Sequence, residues 1–118
     1  MGQSMSLRRI AVVVEDDELQ RDMIALLLEE SGFKVIQCED AETACLAVKA
    51  RHPSLLVTDV SLTGKMNGAE LAQLARLGDP ALRVVVISGQ PLASPLPDGV
   101  RFFLKPVYPA ALLREAMN

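Results

Sequence analysis

The sequence has no tryptophan, one tyrosine and three phenylalanines in 118 residues. Half of it is hydrophobic all the same, so the core must be built from Leu, Val, Ile and Ala. Two cysteines, Cys38 and Cys45, are too few for a disulfide framework or a thiolate zinc site. Both read as inert thiols in a reduced cytosolic compartment. No apolar run approaches the roughly 18–20 residues that span a bilayer, which excludes a membrane span. No charged start followed by an apolar stretch marks a secretory signal. Lys and Arg number 12 against 15 Asp and Glu, a net charge of −3. That balance argues against nucleic acid as a direct partner, because phosphate-backbone binding needs a basic face. Nucleotide-binding loops of the forms G-x-G-x-x-G and G-x-x-x-x-G-K-[ST] are missing as well. With no internal repeat, linker or low-complexity tract, the chain reads as one domain over residues 7–118, after a disordered lead-in at 1–6. Within that lead-in Gly2 and Ser6 formally fit a myristoylation pattern, a match so short that chance supplies it often.

What is present is alternation. Ile10 to Val14, Leu55 to Val57 and Leu82 to Ile87 are short apolar runs rich in β-branched residues, the last broken only by Arg83. Such runs suit strands covered on both faces, as in a parallel sheet. Phe33 to Gln37 and Val100 to Leu104 are more mixed and read as edge strands. Helical patterns fill most gaps. Leu19, Met23, Leu26 and Leu27 make one apolar stripe, stopped by Ser31-Gly32. Asp40 is placed to cap a second helix with Ala44, Ala47 and Val48 inward. Asn67 and Glu70 have the spacing of a capping box ahead of Leu71, Leu74 and Ala75. Pro109 suits the first turn of a last helix carrying Leu112, Leu113 and Ala116. The order predicts an α/β fold: a doubly wound, flavodoxin-like parallel sheet of five strands in the order 2-1-3-4-5, with the three most hydrophobic runs central.

In such a sheet every strand ends at the same edge, where ligands bind. Glu15, Asp16, Asp17 and Glu18 follow the first strand, Asp59 the third, Ser88-Gly89 the fourth and Lys105-Pro106 the fifth. Asp17 and Glu18 read as helix-start charges. The other acids would repel one another unless a cation joined them. Oxygen-only ligands favour a hard ion such as Mg²⁺, and the formal charges of Glu15, Asp16, Asp59, Lys105 and one Mg²⁺ cancel. A site of this kind suits a phosphoryl group, and an aspartate can carry that group covalently.

These residues match a family. From about Arg9 to Met117 the chain resembles the receiver domain of two-component response regulators. The matching motifs are Val13-Val14-Glu15-Asp16-Asp17, Val57-Thr58-Asp59, Val86-Ile87-Ser88-Gly89 and Phe103-Leu104-Lys105-Pro106. The resemblance implies a signalling switch in a bacterial cytoplasm rather than an enzyme, with at most weak self-catalysed gain and loss of the phosphoryl group. Asp59 would be the phosphoacceptor, charged by a sensor histidine kinase or a histidine phosphotransfer protein. Glu15 and Asp16 would organise Mg²⁺, with Asp16, Asp59 and the backbone carbonyl of Ser61 as direct ligands and Glu15 acting through water. Ser88 would be the switch hydroxyl, Lys105 the cation paired with a phosphoryl oxygen, and Phe102 the rotating aromatic. The Lys105–Pro106 bond would be cis. The downstream protein partner is not named by the sequence, and a homodimer stays open.

Two competing classes remain in view. An Mg²⁺-dependent phosphohydrolase also uses an aspartyl nucleophile, but it wants Asp-x-Asp, and Asp59-Val60-Ser61 lacks the second acid. A degenerate receiver would only bind, yet Glu15, Asp16, Asp59, Ser88 and Lys105 are all retained. Departures from the family pattern concern output. Only about a dozen residues separate Ile87 from Val100, and Pro91, Pro95 and Pro97 are among them. Prolines at this density oppose a regular helix, so the fourth of the family's five helices should be short or missing, as in receivers of hybrid sensor kinases and some stand-alone ones. The segment Thr63-Gly64-Lys65-Met66-Asn67-Gly68 is one residue longer than usual, with Thr63 in place of a proline. His52 reads as a surface residue and Tyr108 as packing.

Overall fold

The computed structural model describes residues 9–117, so the lead-in and its Gly2–Ser6 pattern lie outside the described residues. The elements run β1 (Ile10–Val14), α1 (Glu18–Glu30), β2 (Lys34–Cys38), α2 (Ala41–Arg51), β3 (Leu55–Asp59), α3 (Gly68–Gly78), β4 (Arg83–Ser88), β5 (Val100–Leu104) and α4 (Pro109–Met117). All five strands pair in parallel in the order β2-β1-β3-β4-β5. The expected flavodoxin-like sheet is the one observed.

Successive strand residues point to opposite faces, and the core divides accordingly. Val12, Val14, Leu56, Val84 and Val86 pack beneath α2 and α3. Ala11, Val13, Leu55, Val57, Val85 and Ile87 pack beneath α1 and α4. The central strands are buried along both faces, which is why their sequences are unbroken apolar runs. Edge strand β2 carries the exposed Lys34 and Gln37.

Local signals work as their chemistry requires. Asp17 Oδ1 accepts from the Gln20 amide at 3.0 Å and starts α1; Asp40 Oδ1 accepts from the Thr43 amide at 2.7 Å and starts α2. Asn67 and Glu70 form both halves of the capping box at 2.9 Å each. Removing that cap with Asn67→Ala should cost about 1 kcal/mol. Urea unfolding against the exposed control Gln73→Ala checks this, and equal midpoints would count against the cap. At the end of α1, Gly32 takes φ +100, a left-handed conformation that a side chain resists. His52 closes α2 in the same region at φ 48 and is exposed, as a surface residue should be.

No helix lies between β4 and β5: residues 89–99 run as bends and a turn, as the prolines predict. Leu96 from this segment packs against the α2–α3 side of the core together with Phe102. Arg76 ties the segment down by donating to the carbonyl oxygens of Leu82 and Asp98, each at 3.1 Å.

Three packing expectations are corrected. Of the expected α1 stripe only Leu27 packs against the core; Leu19, Met23 and Leu26 are 70%, 63% and 56% exposed, and Ala25 and Leu28 are the buried residues. Periodicity identifies a stripe, but the close seat of α1 on the sheet selects the line that includes small Ala25. In the α3 stripe Leu71 and Ala75 are buried, but Leu74 is 50% exposed. Tyr108 is likewise 71% exposed rather than packed. Among the described residues no helix is long and apolar enough to cross a membrane.

Candidate functional site

Segments at the ends of β1, β3 and β5 build the centre of the site. β3 delivers Asp59, whose residue is only 6% exposed although it carries a carboxylate. A turn after β1 delivers Glu15, still more buried at 3%. The segment after β5 delivers Lys105 across a cis peptide bond to Pro106. The Lys105 Nζ lies 2.7 Å from Asp59 Oδ2 and 3.6 Å from Glu15 Oε1. One ammonium therefore sits between two buried carboxylates, which is what such carboxylates need to persist away from water.

Each group is held by its local backbone. Asp59 Oδ1 accepts from the Ser61 amide at 3.1 Å, and Glu15 Oε2 accepts from the Asp17 amide at 3.1 Å. Arg21 donates to the Glu15 carbonyl at 2.9 Å and braces the turn from the α1 side. The Lys105 amide donates to the Ser88 carbonyl at 2.8 Å, so β4 and β5 stay paired up to the site. Ser88 is buried, and its Oγ accepts from the Gln90 amide at 3.0 Å. Asp16 is exposed beside this group, and Ser61 is exposed on the loop after Asp59. Phe102 is half-buried on β5 and packs on the α2–α3 side of the core.

The electrostatics follow from crowding. Burial pushes the Glu15 carboxyl up to about 7, and contacts with Asp59 and Asp16 add to the rise while the Asp17 amide opposes it. For Lys105, burial works against the charged form, but the hydrogen bond and charge of Asp59, with Glu15 behind it, win and raise the ammonium above its usual range. Burial pushes the Cys38 and Cys45 thiols up, Cys38 more deeply buried of the two, as inert thiols would be.

The chemistry of the donors bears on a metal. Among the described residues no three His, Cys, Asp or Glu side chains gather as a ready metal cluster. Mg²⁺ does not require that, since it typically takes one or two carboxylates and keeps several waters. When both are ionised, Glu15 and Asp59 carry one negative charge more than Lys105 offsets, and their donor atoms are all oxygens. The residues fit a hard divalent ion.

The comparisons agree with this geometry. The family model described as the response regulator receiver domain matches residues 11–115. The chain belongs to this family. It is a receiver domain of two-component response regulators. It is 30% identical over 83 residues to the response regulator receiver protein CpdR of Brucella abortus, covering 70% of this chain and 68% of that one. It is 32% identical over 79 residues to the nitrogen assimilation regulatory protein NtrX of Azorhizobium caulinodans, covering 66% of this chain but 17% of that protein. In several curated relatives, then, the receiver domain matches only a minor part of a longer protein. A receiver protein structure from Sinorhizobium medicae superposes with a TM-score of 0.87 at 22% identity, covering 95% of this chain and 94% of that one; at that identity the likeness speaks for the fold.

Of the residues expected at the site, the fold brings Glu15, Asp59 and Lys105 into contact and sets Ser88, Asp16 and Ser61 around them. Two residues of the site went unread. Gln20 accepts from Lys105 Nζ at 2.9 Å through its Oε1, across 85 positions of sequence. Gly68 presses on the Asp59 backbone, where a Cβ would stand 1.8 Å from the carbonyl oxygen. An N-G pair after a loop signals a turn, and that was the only hint of Gly68. Nothing in the sequence pointed to Gln20. A groove of about 680 Å³ between α1 and α4 opens beside Lys105, with Met23, Ile24, Leu27 and Leu112 in its wall.

Proposed function

We propose that this receiver domain is a phosphoacceptor switch, with Asp59 the residue that takes the phosphoryl group. The observation that carries the reading is the 2.7 Å contact between Lys105 Nζ and the buried Asp59 carboxylate at a strand end. An Asp59 carboxylate oxygen attacks the phosphorus of a phosphohistidine on a sensor histidine kinase or a histidine phosphotransfer protein. The new P–O bond forms as the P–N bond breaks, and the freed imidazole takes a proton from solvent. Glu15, Asp16, Asp59 and the Ser61 carbonyl would hold Mg²⁺, which when bound offsets negative charge on the phosphoryl oxygens. Lys105 holds the acceptor oxygen in place and stays beside the charge that gathers there.

Asp59 carries −1 before transfer and roughly −1.5 to −2 after it, by analogy with other phosphorylated side chains, because the oxygen that bonds to phosphorus gives up its own charge. The added charge draws the Ser88 hydroxyl and the Lys105 ammonium inward. Ser88 lies two register positions past Phe102's partner Val86 on the neighbouring strand, so its movement changes the packing that Phe102 meets. Charge and packing at one end thereby bias a two-state surface that a downstream protein reads. The phosphohydrolase reading is disfavoured because Val60-Ser61 supplies no second acid after Asp59.

The test uses acetyl phosphate with Mg²⁺. The parent should gain an acid-stable, base-labile acyl phosphate and show NMR shifts near Asp59, Ser88 and Lys105. The Asp59→Asn protein should gain none. An Asp59→Asn protein that behaves like the parent overturns the assignment. Many turnovers of a phosphomonoester per chain would favour the hydrolase instead.

A further inference from the structure

We infer that Gln20 is a positioning residue for Lys105, aiming its ammonium at the Asp59 oxygen that receives the phosphoryl group. The inference rests on the phosphoacceptor reading. Its starting point is the cap of α1. Asp17 holds the Gln20 amide at 3.0 Å and fixes Gln20 in the first helical turn, on the site side. From there its Oε1 reaches Lys105 Nζ at 2.9 Å.

An ammonium has three donors. Lys105 gives one to Asp59 Oδ2 at 2.7 Å and one to Gln20 at 2.9 Å, while Glu15 Oε1 stands at 3.6 Å, within ion-pair range but beyond a good hydrogen bond. The two acids therefore do not hold the ammonium equally. Coulomb attraction alone would let it settle anywhere between them. An oxygen carried by the first turn of α1 supplies the third point that defines its direction. The acceptor oxygen is what matters here, since it gives Lys105 Nζ a second hydrogen-bond direction beside Asp59. In Gln20→Met, which keeps side-chain length and lacks the oxygen, the ammonium is free to drift toward Glu15. Transition-state charge on the incoming group is then met by a less well-placed cation, and small misplacements cost rate.

The test is transfer from acetyl phosphate to Asp59 in Mg²⁺, followed to saturation in donor. Gln20→Met should lower the maximal rate about fivefold while leaving the KM for acetyl phosphate and the Mg²⁺ midpoint within about twofold of the parent. The Lys105 Nζ resonance should move in the same variant, and its melting curve should overlay the parent's, which a purely structural role would not produce. Gln20→Glu, which restores an oxygen acceptor at the same reach, should return the Nζ resonance toward its parental position and the rate to within about twofold of the parent. A Gln20→Met protein with the parental maximal rate overturns the inference, as does a Gln20→Glu protein that is equally slow. A parent that takes up no phosphoryl group at all instead defeats the phosphoacceptor reading, and the inference with it.

Discussion

Gly68→Ala is expected to lower the unfolding free energy by about 3 kcal/mol or more, whereas Gly78→Ala, ten residues along the same helix, is expected to be neutral or mildly stabilising. At position 68 an added Cβ would meet the Asp59 carbonyl oxygen at 1.8 Å, its carbon at 2.7 Å and the Thr58 Oγ1 at 2.9 Å. Two of these atoms are backbone in a strand paired on both sides. They cannot move without breaking the bond from the Thr58 hydroxyl to that carbonyl at 2.9 Å, or the bond from the Gly68 amide to the Val60 carbonyl at 2.9 Å. The strain has nowhere soft to go. At Gly78 nothing lies within 4 Å of an added Cβ, and alanine is the better helix former by up to about 1 kcal/mol. Chemical denaturation of both variants decides the matter. Equal midpoints for the two would show that β3 and α3 part more easily than their contact implies. Any Gly68→Ala protein that does fold should also take up the phosphoryl group more slowly, because the carbonyl it displaces belongs to the acceptor residue.

How much of this was legible in the sequence depends on the range of each interaction. Strand ends, caps and breakers are local. Hence the convergence of Glu15, Asp59 and Lys105, the caps at Asp40 and Asn67, and the loss of a helix across Pro91, Pro95 and Pro97 were readable before any coordinates. The inward side of α1 was not, because Leu19, Met23 and Leu26 satisfy the same period as Ala25 and Leu28. Only the distance between helix and sheet chooses between the two lines. The depth of Glu15 was equally hidden. An acid following a strand normally reads as solvated, and its burial comes from β2 and α1 closing over the turn, as the bond from the Glu15 amide to the Cys38 carbonyl at 3.1 Å records. Gln20 and Gly68 belong to the same class: their roles arise from contacts between elements distant in sequence, with no spacing rule to announce them.

The buried acid makes the second large prediction, a stability that rises as the pH falls in metal-free solution. The Glu15 carboxyl is pushed from an ordinary 4.5 to about 7 by burial, aided by Asp59. Between those two values the folded protein keeps a proton that the unfolded chain has released. Folding is thus favoured below pH 4.5, and this contribution is lost as the pH rises through 7. The whole contribution is on the order of 3 kcal/mol, and about 2 kcal/mol of it falls between pH 5.5 and 7.5. For a domain of this size that is a melting temperature several degrees higher at pH 5.5 than at 7.5, roughly 4 °C per kcal/mol. Other shifted groups do not reverse the sign. The Asp17 and Asp40 carboxyls are held below their usual range by helix-cap amides and stay ionised throughout. The Lys105 ammonium is raised, so its contribution is lost only above the usual lysine range. Mg²⁺ should act oppositely to the proton, since it needs the carboxylates free. Added Mg²⁺ should therefore stabilise strongly at pH 7.5 and little at pH 5.5, and the pH slope should flatten. Melting curves at both pH values, in EDTA and in Mg²⁺, read this directly. Glu15→Gln supplies the control: with no proton to hold, it should lose the pH dependence. A Glu15→Gln protein with the parental slope would place the proton on some other group and remove Glu15 from the cation's charge balance.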